Sequence, residues 1–493
     1  MTENTKNFRS PLNNLFYFEK GSLAMIFRLV FPLLVELILS TSFNMIDHMM
    51  AGQYSKDALN AIGLYSTPNA IFNVAFTAVN VGTTVRVAWN IGAKKYKSAR
   101  DVMATSIKLS ILIGIVITAV CMIVAPAAIT FLAGETYGSV HVKGTVASDA
   151  VDVFRICSAG IVFLVVRSAI TACLRGAGEN RASLIYNIAS SFMNVIGNYI
   201  FIYGVDFLGI PQMGAQGAAL STSLCHMFGC LFAIIYLYCS KSSKFSFRNR
   251  QYATDFDADE QNETNKKAIS LLPDRQISKK ILSIGIPSAI ESIIIQFGFL
   301  LLTKMIVSTG PDSYAAHQVT SSIYNLFVIV GSAFSSAANT IVGQHVGAND
   351  IKGVKYYAGA ITKVSVMVSL VLAMVIWLFA GEFLSLYTKD MAVIVISKKL
   401  LHICAIMIVF SNVLSVFSGS LRGTGDTKYP VYVAIFSVLI LRVSLVYLAV
   451  NVLKIGILGV WCVTLIDNVV RGVLMIARYK SGRWEKNLEK EDT

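Results

Sequence analysis

The chain has 493 residues, 55% of them hydrophobic and only 14% charged, with a formal net charge of +14. A mean hydropathy of +0.63 excludes a soluble globule of ordinary composition. The basic excess does not mark a nucleic-acid binder, because the lysines and arginines gather in alternate connections between apolar runs.

Residues 1–20 are polar and carry Lys6, Arg9 and Lys20. They lack the short apolar core and cleavage site of a signal peptide, so the first span is expected to be retained. From there the pattern predicts twelve helical spans, near 23–51, 60–89, 103–133, 151–173, 183–204, 214–238, 279–308, 315–343, 357–387, 400–420, 429–450 and 456–478. Each is long enough to cross a hydrocarbon layer ~30 Å thick. The fold class is all-α and polytopic.

The first span holds the most informative residue. Glu36, Ser40, Asn44 and Asp47 recur at steps of four, four and three, which puts them on one helical face. A charge at bilayer depth costs at least ~2.5–3.5 kcal/mol, so Asp47 implies a cavity or a partner. Such a wet acidic seam suits a protein that moves cations or is driven by them. Glu36 lies three turns and ~16 Å from Asp47, too far to share one ion. It either lines a substrate path or hydrogen-bonds structurally.

In the fifth span Asn194 and Asn198 are four apart and offer neutral oxygen ligands from one face. One carboxylate with amide and hydroxyl oxygens suits a hard monovalent cation, or a proton alternating with it. His48 and His317 read as helix-packing polar groups. Cys121, Cys157, Cys173, Cys225, Cys230, Cys404 and Cys462 lie within spans and Cys239 at a span end, with no Cys-x-x-Cys pair. They read as small buried hydrophobes rather than metal ligands.

Four landmarks occur twice in the same order. Pro32-x-x-x-Glu36 returns as Pro287-x-x-x-Glu291, and Gly92-Ala93 as Gly347-Ala348. Leu174-Arg175-Gly176-x-Gly178 returns as Leu421-Arg422-Gly423-x-Gly425, and Gly214-x-x-Gly217 as Gly456-x-x-Gly459. Six spans per half is an even number, so the halves share one orientation, a parallel-repeat transporter architecture. The predicted division is an amino-terminal lobe (1–238), a polar cytoplasmic linker (239–278), a carboxy-terminal lobe (279–478) and a cytoplasmic tail (479–493). The basic residues Lys94, Lys95, Lys97, Arg100, Arg175, Arg181, Lys241 through Lys280, Lys352, Lys355, Arg422 and Lys428 all fall in one set of connections. The opposite set holds little beyond Lys56, Lys143, Lys389 and Lys454, with Lys398 and Lys399 as the exception. Both termini are therefore predicted to be cytoplasmic, in a multi-pass protein of the cell membrane.

In the second half, Glu291 is the repeat mate of Glu36 and carries the same two readings, with Gln296 a turn further on. Asp467 and Arg471 are spaced i,i+4, which predicts an intrahelical salt bridge. Arg167, Lys304 and Arg442 have no partner that spacing assigns. The Arg175 and Arg422 loops lack the Gly-Lys-Ser/Thr ending of a nucleotide loop, so they read as cytoplasmic turns and no ATP site is expected.

These landmarks resemble the MATE family of multidrug and toxic compound extrusion transporters over essentially the full chain. The resemblance rests on Pro32, Met45-Ile46-Asp47 and Met50-Ala51-Gly52, Asn90-Ile91-Gly92-Ala93, and Leu174-Arg175-Gly176-x-Gly178. It continues through Asn194 with Asn198, Ala315-Ala316-His317-Gln318, Val342-Gly343-Gln344-x-x-Gly347-Ala348, and Leu421-Arg422-Gly423-x-Gly425-Asp426-Thr427. It implies two six-helix lobes and export of small organic cations or drugs in exchange for H+ or Na+, with no other cofactor and no enzyme activity. It maps a cation-coupling site onto Asp47, Asn194, Asn198 and Thr222, and suggests Glu36, Asn44, Glu291 and Gln296 for the substrate path. Acids that one branch carries in the seventh and tenth spans fall here on Ile295 and Ser411. That leaves H+ at Asp47 as the expected coupling ion, Na+ there as the competitor, and a monomer as the expected unit. A lipid-linked saccharide flippase of related shape is the alternative, kept open by Arg167, Lys304, Arg442 and Arg471. A membrane-embedded enzyme or receptor would need a clustered metal set, a Ser/His pair or a large extramembrane domain.

Overall fold

The computed structural model describes residues 18–19, 21–133, 139–142, 144–240, 245, 272–307 and 309–485. The predicted linker lies outside them but for its ends and Phe245, as do most of the first twenty residues and the end of the tail. The amino lobe consists of α1 (Ser22–Tyr54), α2 (Lys56–Gly92), α3 (Tyr96–Ala133), a two-piece α4 (Val146–Ala159 and Ile161–Ala177), α5 (Asn180–Tyr203) and α6 (Gly214–Cys239). The carboxy lobe consists of α7 (Arg275–Val307), α8 (Pro311–Gly347), α9 (Ile351–Leu378), α10 (Met391–Gly423), α11 (Lys428–Val452) and α12 (Ile457–Lys480). A short helix, Ala380–Ser385, joins α9 to α10.

Among the described residues, nine of these helices are individually long and apolar enough to cross a membrane. The two pieces of α4, bent by 45° at Gly160, form a tenth when taken together. The chain is a multi-pass membrane protein. α5 falls short of the same standard because Asn180, Asn187, Asn194 and Asn198 occupy four of its positions, three of them buried.

The repeated landmarks have a physical reading. Pro32 and Pro287 each sit inside the first helix of a lobe, where a missing N–H loosens the local ladder. Gly178 and Gly425 adopt the left-handed conformation (φ 81° and 79°) and end α4 and α10 with matching caps. Glu179 N–H bonds Leu174 O at 2.8 Å, and Asp426 N–H bonds Leu421 O at 2.9 Å. A Cβ on Gly176 would press on the Thr84 carbonyl of α2, and one on Gly423 on the Asn339 carbonyl of α8. Each lobe thus uses the first glycine for close helix contact and the second for chain reversal.

The lobes meet along α1, α2, α7 and α8. Small residues let the backbones approach, which is how helices associate where lipid offers no hydrophobic drive. A Cβ on Gly92 would run into the Gln344 carbonyl, and one on Gly347 into the Trp89 carbonyl. Gly82 and Gly285 make the same kind of approach to the Ile281 and Ala78 carbonyls. Hydrogen bonds cross here too: Trp89 Nε1 donates to Gly423 O at 2.7 Å, and Gln344 Nε2 to Gly176 O at 2.9 Å. Ile26, Leu29, Val30 and Leu33 of α1 pack on Val330, Ala333, Phe334 and Ala337 of α8. These contacts run from the end where α1 begins to about the middle of the helices, so the lobes are closed over that half.

Six cysteines are buried, but Cys239 and Cys462 are exposed, so both depart from the expected buried role. The expected Asp467–Arg471 bridge is also corrected. Asp467 is bound by Arg442 and Ser437 of α11, while Arg471 faces Glu291 of α7 at 3.9 Å. α11 runs as a π-helix from Ile435 to Arg442, and its extra residue per turn changes the face on which Arg442 emerges.

Candidate functional site

The amino lobe brings Asp47 of α1 against α5. Asn198 Nδ2 donates to Asp47 Oδ1 at 2.5 Å. The Asn194 amide lies between this carboxylate and the Ser221 and Thr222 hydroxyls. Turned with its nitrogen toward Asp47, it donates to both carboxylate oxygens, at 2.8 and 3.0 Å. The i,i+4 spacing of the two asparagines therefore delivers two amides to one acid. Thr222 stands one step back: its hydroxyl donates to Ala218 O at 2.9 Å and lies 3.4 Å from the Asn194 amide.

A cavity of about 480 Å³ opens beside the acid. Ser40, Asn44, Asp47, His48 and Thr222 line it, joined by Tyr65 and His226. The last two escaped the sequence reading, although His226 follows Thr222 by one helical turn on α6. Asn198 Oδ1 is buried with no hydrogen-bond partner.

Glu36 does not share this cavity. Arg175 Nη2 donates to its Oε1 at 2.6 Å, Asn187 Nδ2 to the same oxygen at 2.8 Å, and Ser183 Oγ to Oε2 at 3.0 Å. A smaller cavity of about 260 Å³ lies beside it, with Arg167 and Ser40 in its wall. Gly229 makes room for the Arg167 guanidinium. The repeat mate is held alike: Arg422 Nη2 donates to Glu291 Oε2 at 2.8 Å. In both lobes the acid four residues after the helix proline is clamped by the arginine of the Leu-Arg-Gly-x-Gly motif.

Between the lobes lies a cavity of about 530 Å³, with Asn80, Thr84 and Arg175 on one wall and Glu291, Asn339, Arg422 and Arg471 on the other. It borders a further cavity of about 440 Å³ inside the carboxy lobe, the two sharing Ile295, Val328, Ser411, Asn468 and Arg471. Gln296 lines this second cavity, together with Phe299, His317, Tyr324 and Trp461. Trp461, Thr464, Asn468 and Arg471 form one face of α12, a stripe that sequence spacing carried but that was read only for its salt bridge. The cavity beside Asp47 thus lies in the amino lobe and the cavity lined by Arg442 and Arg471 in the carboxy lobe.

The family model described as MatE matches residues 32–200 and again residues 287–448, once in each lobe. The chain is 27% identical over 463 residues to the probable multidrug resistance protein NorM of Thermotoga maritima, covering 93% of this chain and 92% of that protein. It is 25% identical over 472 residues to the uncharacterized transporter YisQ of Bacillus subtilis, covering 93% and 94%. Its fold is similar to that of a multidrug resistance MATE family transporter of the MOP superfamily solved in an outward-facing conformation. That match has a TM-score of 0.80 at 22% identity and covers 95% of this chain and 100% of that one.

Proposed function

The chain belongs to the MatE family, and on that premise we propose that it exports amphipathic organic compounds by ion-coupled antiport, with Asp47 as the coupling acid. The observation that carries the reading is the Asp47 carboxylate, held in a polar intramembrane cavity by the Asn198 and Asn194 amides. The similarity to proteins named for multidrug resistance supports the class of cargo.

The antiport cycle follows from charge. Ionised, Asp47 draws a cation into the cavity; neutralised, it tolerates the low dielectric that accompanies exposure to the other side. We assign the ion as H+. A Na+ site asks for several rigidly held oxygens, whereas a proton needs only one titratable acid, and the acids expected in the seventh and tenth spans are replaced by Ile295 and Ser411. With the amino terminus cytoplasmic, closure at the α1 entrance leaves the cavities facing outward. The expected unit is a monomer in the cell membrane.

A lipid-linked saccharide flippase is the second reading, favoured by Arg175, Arg422 and Arg471 around the central cavity. Cavities of 440 and 530 Å³ are sized for drug-like molecules, which favours the first. The test is efflux of a fluorescent cationic dye from proteoliposomes, imposing a pH step without sodium and then a sodium gradient without a pH step. Efflux on the pH step supports the assignment; silence until sodium is added overturns the choice of ion.

A further inference from the structure

We propose that a cavity at the end where α7 and α11 begin binds the phosphate headgroup of an anionic phospholipid, whose acyl chains lie along the exposed apolar faces of those two helices. This binding depends neither on the cargo nor on the coupling ion.

The cavity measures about 480 Å³ and lies against the seam, with Trp89 of α2 on one side and Ser283, Lys428, Tyr432 and Arg478 of the carboxy lobe on the other. It shares no lining residue with the four cavities described above. Its charge is basic. Asp426 in its wall is answered by Arg478, whose Nε donates to it at 2.7 Å. Tyr429 holds the same guanidinium in place, with Cζ 5.0 Å from the ring centre. Lys428 is exposed and has no carboxylate partner among the described residues, so one positive charge in the wall lacks an anion. Lys279 and Lys280 stand one turn before Ser283 and Ile284 on α7. Arg86 of α2 joins them, its Nε donating to Lys280 O at 3.3 Å. Asp274, the nearest acid along that helix, accepts the N–H groups of Gln276 and Ile277.

Basic pockets between membrane helices at the end that carries the lysine-rich connections are suited to anionic headgroups. The hydroxyls of Ser283 and Tyr432 add neutral donors beside Lys428. What distinguishes a lipid from a free anion is the surface above the cavity. From Ser283 the same face of α7 continues as Ile286, Ile290, Ile293 and Phe297, all exposed, at steps of three, four, three and four. That face points nearly opposite Ile295 and Phe299, which line the inner cavity, so it is turned toward lipid. From Lys428 the face of α11 continues as Tyr432, Phe436 and Ile440, also exposed. The two helices meet higher up, where a Cβ on Gly298 would press on Val438. Cavity and faces together form a wedge that is polar at its base and apolar along its sides.

The experiment is native mass spectrometry of the delipidated full chain, titrated with phosphatidylglycerol or with phosphatidylcholine of the same acyl chains. The native protein is expected to bind its first phosphatidylglycerol about tenfold more tightly, the scale of two basic side chains near one phosphate. Lys428→Gln should bring that preference to about threefold or less, and K428Q/K280Q should remove it. Lys428→Arg should retain it. Arg181→Gln removes a basic residue at the start of α5, at the same end but outside the cavity, and should leave the preference unchanged. Equal binding of the two lipids by the native protein overturns the proposal, as does an undiminished preference in K428Q/K280Q. An equal loss in Arg181→Gln would mean that overall charge selects the lipid, and the proposal falls. It falls again if glycerol 3-phosphate binds as tightly as phosphatidylglycerol, because the cavity would then take a soluble anion.

Discussion

Trp89 and Gln344 hold equivalent places in α2 and α8, and each reaches into the opposite lobe to bond the motif that closes α10 or α4. Trp89 donates to Gly423 O at 2.7 Å and Gln344 to Gly176 O at 2.9 Å. The two glycines are themselves repeat mates. The lobes are therefore fastened by a pair of matched crossings beside the glycine contacts.

Closure is the first property to test. Gln344→Ala removes one crossing, worth about 0.5–1.5 kcal/mol, and should shift the closed population by roughly two- to tenfold. Gly347→Val places side-chain atoms against the Trp89 carbonyl and should abolish the closed state. Spin labels at Lys95 and Lys352, both exposed near the seam, report the distance between lobes. An unchanged distance distribution in Gly347→Val would show that the seam does not govern closure.

Asp47→Asn is expected to reduce gradient-driven efflux to background while leaving the melting temperature near native. The new amide keeps an oxygen for the Asn198 donor, so the packing survives and only the titratable charge is lost. Efflux of the dye under a pH step, in matched vesicles, is the measurement. Near-native efflux would remove Asp47 from coupling.

Arg442→Met strands Asp467, which is 0% exposed, and should destabilise the protein by about 3–5 kcal/mol. The double substitution R442M/D467L removes both charges and should recover most of that loss. Thermal unfolding in detergent distinguishes the two. Equal destabilisation by the single and double variants would mean that packing rather than charge dominates the site.

How far the sequence speaks depends on the range of the interaction. Asp47, Asn194 and Asn198 were legible because helical periodicity alone puts the asparagines on one face, and an intramembrane acid demands partners. The clamps were not: Glu36 and Arg175 are 139 residues apart, Glu291 and Arg422 131, and no local spacing joins them. Asp467 misled for the opposite reason. A suitable arginine stood one turn away on its own helix, while its actual partner emerges from a π-helical stretch that α-periodicity cannot place. The glycine motifs were visible as repeats, but their role required knowing that α4 and α10 end against the opposite lobe.

The glycine seam between Gly92–Gln344 and Gly347–Trp89 has the form of an isologous contact, in which each partner offers the other the same patch. Two separate half-length subunits meeting by that rule would have to change both patches together. Joined in one polypeptide, the halves are released from that obligation. Tryptophan can stand at one crossing and glutamine at its mate; an acid can survive in one cavity while arginines fill the other. Covalent linkage thus turns a symmetric joint into a frame for two chemically different chambers that must still open and close as one.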